Sequence, residues 1–105
     1  MTPEGTVKKK IKGMLKEYGC YYYMPVSNGM GAPQLDFFAI AGGIAIGVEA
    51  KAPGKKPTAR QELTMQEMRD AGGYACVCDG DMEKFEQWLV GIVLLSKTLE
   101  KLEGY

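Results

Sequence analysis

Two adjacent glycines, Gly42-Gly43, separate two largely apolar runs, Gln34–Ala41 and Ile44–Lys51. A two-residue loop of this kind closes an antiparallel hairpin, because glycine accepts the positive φ that tight hairpin turns demand. The register then follows by counting outward. Ala41 pairs with Ile44, Ile40 with Ala45, Phe38 with Gly47, and Asp36 with Glu49. Directly opposed residues point to the same face, with Cβ atoms about 4.5–5.5 Å apart. Unless a bulge shifts the register, the turn brings two carboxylates together.

Side chains alternate along a strand, so Glu49 and Lys51 share one face and Ile44, Ile46, Val48 and Ala50 form the other. Two opposed carboxylates repel unless a proton or a cation lies between them. A hard divalent cation resolves the repulsion, since Mg²⁺ commonly takes one or two carboxylates plus waters and phosphate oxygens. A salt-bridged sheet end, with Lys51 neutralising Asp36 and Glu49, also resolves it and is the simpler reading of the residues alone. Gly47, facing Phe38, either admits a neighbouring backbone or ligand or simply accommodates the ring.

The chain has no histidine. That removes Ser–His–Asp and Cys–His catalysis, histidine-based nucleases and histidine-containing zinc fingers. Chemistry must come from carboxylates, lysines, hydroxyls or thiols. The cysteines are Cys20, Cys76 and Cys78, an odd count that suggests no disulfide framework. On a strand over Tyr74–Cys78 the last two face one side, as small hydrophobes suited to a reducing cytosol. With 105 residues, 46% hydrophobic and 25% charged, the chain has the size and composition of one globular domain.

Thr2 and Pro3 open a helix carrying Val7, Ile11, Met14, Leu15 and Tyr18 at helical spacing, stopped by Gly19. Glu4, in its first turn, complements the helix dipole or serves a site. Cys20–Val26 reads as a strand. Its tyrosines Tyr21, Tyr22 and Tyr23 either pack at the core and edge or stack on bases. Residues 27–33 form a loop. Thr58–Ala71 is a helix stopped by Gly72-Gly73, and Thr58-x-x-Gln61 has the pattern of a capping box. Tyr74–Cys78 is a fourth strand, Asp81 a cap, and a last helix runs from Met82 into the nineties, with Gly91 a point for a break or bend. The order is αβββαβα.

Residues 1–60 hold nine basic and four acidic side chains, and residues 61–105 hold four and nine. A net charge of zero therefore does not exclude a polyanion partner. Lys8, Lys9, Lys12, Lys55, Lys56 and Arg60, with Asn28 in the loop, are candidate nucleic-acid contacts. The N-terminus has no apolar leader core, and Phe37–Val48 is too short to span a bilayer, so a cytoplasmic protein away from membranes is expected.

Asp36, followed one hairpin later by Glu49-Ala50-Lys51, resembles the Asp…Glu-x-Lys signature of the PD-(D/E)XK nuclease superfamily. Glu4 on the first helix and Gln61 on the helix after Lys51 narrow the resemblance to the VRR-NUC family, especially its short stand-alone phage-type members. The segments Thr2–Gly5, Glu49–Thr58 and Arg60–Thr64 look like theirs almost residue for residue. The resemblance covers about residues 2–90. It departs from the superfamily pattern in one place, since Pro33 lies three positions before Asp36 rather than beside it.

The resemblance implies an α/β fold, a restriction-endonuclease-like αβββαβ core with a four-stranded mixed sheet flanked by helices. Residues 1–91 would form the nuclease domain, and 92–105 a helical tail packing on it or on a partner. It also implies Mg²⁺-dependent (or Mn²⁺-dependent) DNA hydrolysis in a phage or bacterial host cell. Asp36, Glu49 and the Ala50 carbonyl would hold the metal, Lys51 would act on water and phosphate, and Glu4 and Gln61 would complete the site. The apolar run Trp88–Leu95 either packs in the core of one chain or buries against a second copy, so a homodimer is expected, and stand-alone members of the resembled family suggest branched DNA such as four-way junctions as its substrate. A non-catalytic binding module and a general nicking endonuclease are the alternatives.

Overall fold

The computed structural model describes residues 1–26 and 34–99. The elements are α1 (Pro3–Glu17), β1 (Tyr21–Tyr23), β2 (Phe37–Ala41), β3 (Ile44–Ala50), α2 (Ala59–Asp70), β4 (Tyr74–Cys78) and α3 (Met82–Leu99). Their order is the expected αβββαβα.

The hairpin register is the one counted from the glycines. Ala41 pairs with Ile44, Ile40 with Ala45 and Phe38 with Gly47, and the ladder ends at Phe37 opposite Val48. Gly42 and Gly43 have φ of 60° and 87°. A Cβ on Gly42 would run into the Ser96 side chain, so α3 seats directly on the turn.

Strand β1 is shorter than the expected Cys20–Val26. The Cys20 amide donates to the Leu15 carbonyl at 2.9 Å and closes the end of α1, so it is lost to the sheet. Pro25, which has no N–H, limits the other end. Strand β2 starts at Phe37 rather than Gln34. Helix α2 begins at Ala59 because Thr58 is its N-cap, its hydroxyl accepting from the Gln61 amide. Helix α3 runs unbroken through Gly91, and Ile92 belongs to the core.

The sheet order is β1-β2-β3-β4. The first two pairings are antiparallel and β3–β4 is parallel. A parallel neighbour requires a crossover, which α2 supplies. One face buries Phe37, Ala39, Ala41, Ile44, Ile46, Val48 and Ala50 against Val7, Ile11 and Leu15 of α1 and Phe85, Leu89 and Ile92 of α3. Cys76 and Cys78 pack on this face as free thiols, and burial pushes the Cys76 thiol up to about 12. The Tyr18 hydroxyl ties α1 to α3 by donating to Glu86 Oε2 at 2.8 Å.

The other face is covered by α2 over a smaller cluster of Leu35, Met65 and Ala75, with Met68 and Val77 at its margin. Gly47 faces this side. A Cβ there would lie 2.6 Å from Met68 Sδ and 2.8 Å from Leu35 Cδ1. Glycine thus lets α2 and Leu35 close over β3, and the close approach is by side chains rather than by a backbone. Among the described residues, no helix is long and apolar enough to cross a membrane.

Candidate functional site

The β2–β3 ladder stops one rung before the carboxylates, and their side chains replace the next rung. The Asp36 amide donates to Glu49 Oε1 at 3.2 Å, and the Ala50 amide donates to Asp36 Oδ2 at 2.9 Å. Each carboxylate accepts a backbone N–H of the facing strand. This exchange explains why β2 begins at Phe37 although Asp36 remains in place opposite Glu49.

Glu49 is only 3% exposed. Its Oε2 accepts from Gln61 Nε2 at 2.8 Å and lies 3.8 Å from Lys51 Nζ. Burial raises its pKa to about 7; the charge of Asp36 adds to the rise and Lys51 opposes it. A carboxylate poised near neutrality at the end of a sheet is a recurrent property of functional sites.

Gln61 satisfies both of its readings with opposite ends of one carboxamide. Its oxygen accepts from the Thr58 amide at 2.9 Å and completes the capping box. Its nitrogen donates to Glu49. The helix cap therefore fixes the amide that holds the carboxylate.

Both carboxylates also have a lysine partner. Lys51 serves Glu49, and Lys8 Nζ lies 3.5 Å from Asp36 Oδ1. Lys8 also lies 3.6 Å from Glu4 Oε2, so Glu4 joins the site at one remove, through an ammonium group. Among the described residues no cluster of three His, Cys, Asp or Glu side chains is arranged to hold a metal ion. The donor set facing a cation is the Asp36–Glu49 pair. Hard oxygens of this kind suit Mg²⁺ or Mn²⁺, which complete their shells with water and phosphate.

Lys9, Lys12, Lys56 and Arg60 are exposed. Lys55 lines a cavity of about 260 Å³ with Val77, Cys78, Asp79, Asp81 and Trp88. Asn28 lies outside the described residues. Lys8, expected from the sequence to contact phosphate, bridges Glu4 and Asp36. Its spacing of four from Glu4 was the available signal.

No protein-family model matches the chain, and no curated protein does. Among solved structures, the fold is similar to one described as a VRR_NUC domain, with a TM-score of 0.66. The match covers 96% of this chain and 97% of that one at 20% sequence identity. The chain therefore has the fold of a VRR_NUC domain, a four-stranded mixed sheet between helices.

Proposed function

We propose that this protein is a metal-dependent nuclease that hydrolyses phosphodiester bonds in DNA. The observation that carries the reading is the Asp36–Glu49 pair, joined to Lys51 and Gln61 at one end of the sheet. Asp36 and Glu49 would hold Mg²⁺ or Mn²⁺, with the Ala50 carbonyl as a further ligand. When bound, the ion supplies a Lewis acid for the phosphate and lowers the pKa of the attacking water.

The protein's own groups do the rest. Gln61 holds Glu49 in one orientation through its amide. Lys51 places positive charge beside the phosphate and offsets the charge that builds as water attacks phosphorus. As the attacking water gives up a proton to solvent, the bond from phosphorus to one sugar oxygen breaks, and that oxygen takes a proton from solvent as it leaves. Lys8, 3.5 Å from Asp36 Oδ1, would add positive charge beside a phosphate bound there. Exposed Lys9, Lys12, Lys56 and Arg60 add electrostatic attraction along the strand.

The finer reading is a homodimer acting on branched DNA such as four-way junctions. A two-fold pair presents two sites to a two-fold substrate. Exposed Leu94 and Leu95 on α3 offer the apolar surface for pairing.

The test incubates the protein with a labelled four-way junction, a linear duplex and a single strand, under Mg²⁺, Mn²⁺ or chelator. Cleavage that needs metal and falls at least about 100-fold in Glu49→Ala and Lys51→Ala is expected. A folded, metal-supplied protein that cuts none of the three overturns the reading and leaves a binding module.

A further inference from the structure

Helix α2 covers only half of its face of the sheet. The half belonging to β1 and β2 carries Tyr21, Tyr23, Phe38 and Ile40 on alternating positions, set by the pairing of Tyr21 with Ile40 and Tyr23 with Phe38. Tyr21 is 67% exposed, Tyr23 49% and Ile40 40%. Tyr22 points the other way and packs on Phe37, with centroids 6.1 Å apart. The triple tyrosine thus splits into one core residue and two that present rings outward.

The Tyr23 and Phe38 rings lie 5.5 Å apart at 36°. With Leu35, Thr64 and Met68 they line a cavity of about 190 Å³ that has no charged side chain among the described residues. This cavity adjoins the carboxylates. Leu35 immediately precedes Asp36, and Thr64 lies one turn along α2 from Gln61. Tyr23, Phe38 and Gly47 form one rung of the sheet. Asp36 and Glu49 lie two residues further along the same strands, a step of about 6.7 Å. Nucleotides in a duplex strand advance about 3.4 Å each. A DNA strand that runs along β2 with its phosphate at the carboxylates would bring a base within one or two nucleotides to the rings.

We infer that the Tyr23–Phe38 face is a stacking platform for one unpaired base next to the phosphate held at Asp36 and Glu49. An aromatic, uncharged surface accepts the π-face of any base, whereas a paired base inside a duplex offers none. The inference rests on the nuclease reading and sharpens it. The substrate class is DNA with an unpaired nucleotide beside the cleaved bond, as at a branch, bulge or single-strand junction.

The test measures binding of end-labelled duplexes by fluorescence anisotropy, with Ca²⁺ in place of Mg²⁺, so that the carboxylates can hold a phosphate through a cation while cleavage is suppressed. One duplex carries a single unpaired adenine, and the second has an abasic residue in its place. The wild-type protein is expected to favour the base by about tenfold, as stacking on aromatic side chains does. Tyr23→Ala removes the preference, and Tyr23→Phe, which keeps the ring, retains it. Circular dichroism melts check that both variants fold. Equal binding of base and abasic duplexes overturns the platform, as does a preference that survives Tyr23→Ala. A Tyr23→Ala protein that loses self-association in light scattering but keeps the preference assigns the patch to a second copy and also overturns it. Metal-dependent cleavage by a protein without the preference sinks the platform and leaves the nuclease standing. A preference without any cleavage sinks the nuclease and leaves the platform as a binding site.

Discussion

Glu49 is buried beside Asp36, and its elevated pKa of about 7 makes protons compete with cations for it. In the unfolded chain the same group titrates near 4.5. Between these values the folded protein keeps a proton that the unfolded chain has lost. Stability of the metal-free protein therefore rises as pH falls from about 7 towards 4.5. Above pH 7 the buried charge opposes folding by an amount on the order of 3 kcal/mol. Glu49→Gln removes this dependence, so in chelator its melting temperature gains on the wild type at pH 8 and loses that advantage by pH 5. Parallel melting curves for the two proteins across this range would contradict the shift. Metal binding at pH 6.5 should also release a fraction of a proton, read by calorimetry in buffers of different ionisation enthalpy.

At the scale of elements, α3 is fitted to the hairpin that sets the site. Gly42 combines a φ of 60° with the Ser96 side chain packed where its Cβ would lie, whereas Gly43, at 87°, has open space around it. Gly42→Ala should destabilise by about 2–4 kcal/mol and Gly43→Ala by about 1 kcal/mol. In a Ser96→Gly background the two should converge, as chemical denaturation will show. The Gly42-Gly43 turn was legible because a two-residue glycine loop admits few geometries, and its register placed Asp36 opposite Glu49. The capping box was legible because Thr58-x-x-Gln61 is a local pattern. What local pattern could not supply is the second bond of Gln61, which depends on α2 lying across β3. Lys8 was likewise legible as a charge and not as a partner, since its reach to Asp36 crosses from α1 to the sheet end. The short span of β1 was missed because α1 claims the Cys20 amide.

The whole molecule measures 44 × 30 × 19 Å, a flat body with limited surface for enclosing a duplex. Pairing through α3 would enlarge that surface. Leu94 is 60% exposed, so Leu94→Lys should change stability by no more than about 0.5 kcal/mol. It should convert the proposed dimer to a monomer in sedimentation equilibrium. A wild-type protein that sediments as a monomer at tens of micromolar (about 50 μM) counts against the dimer.

The side-chain rung between the strands gives the protein an internal reporter. The Ala50 amide is held by a carboxylate oxygen of Asp36 rather than by a backbone carbonyl. Any cation that draws that oxygen away unties the amide from its acceptor. Hydrogen–deuterium exchange at Ala50 should therefore accelerate as metal binds, while exchange at Val48 in the interior of β3 stays slow. The same coupling makes Asp36→Ala a change to the sheet as well as to the chemistry. An inactive Asp36 variant will differ from the wild type in local opening before any substrate is added.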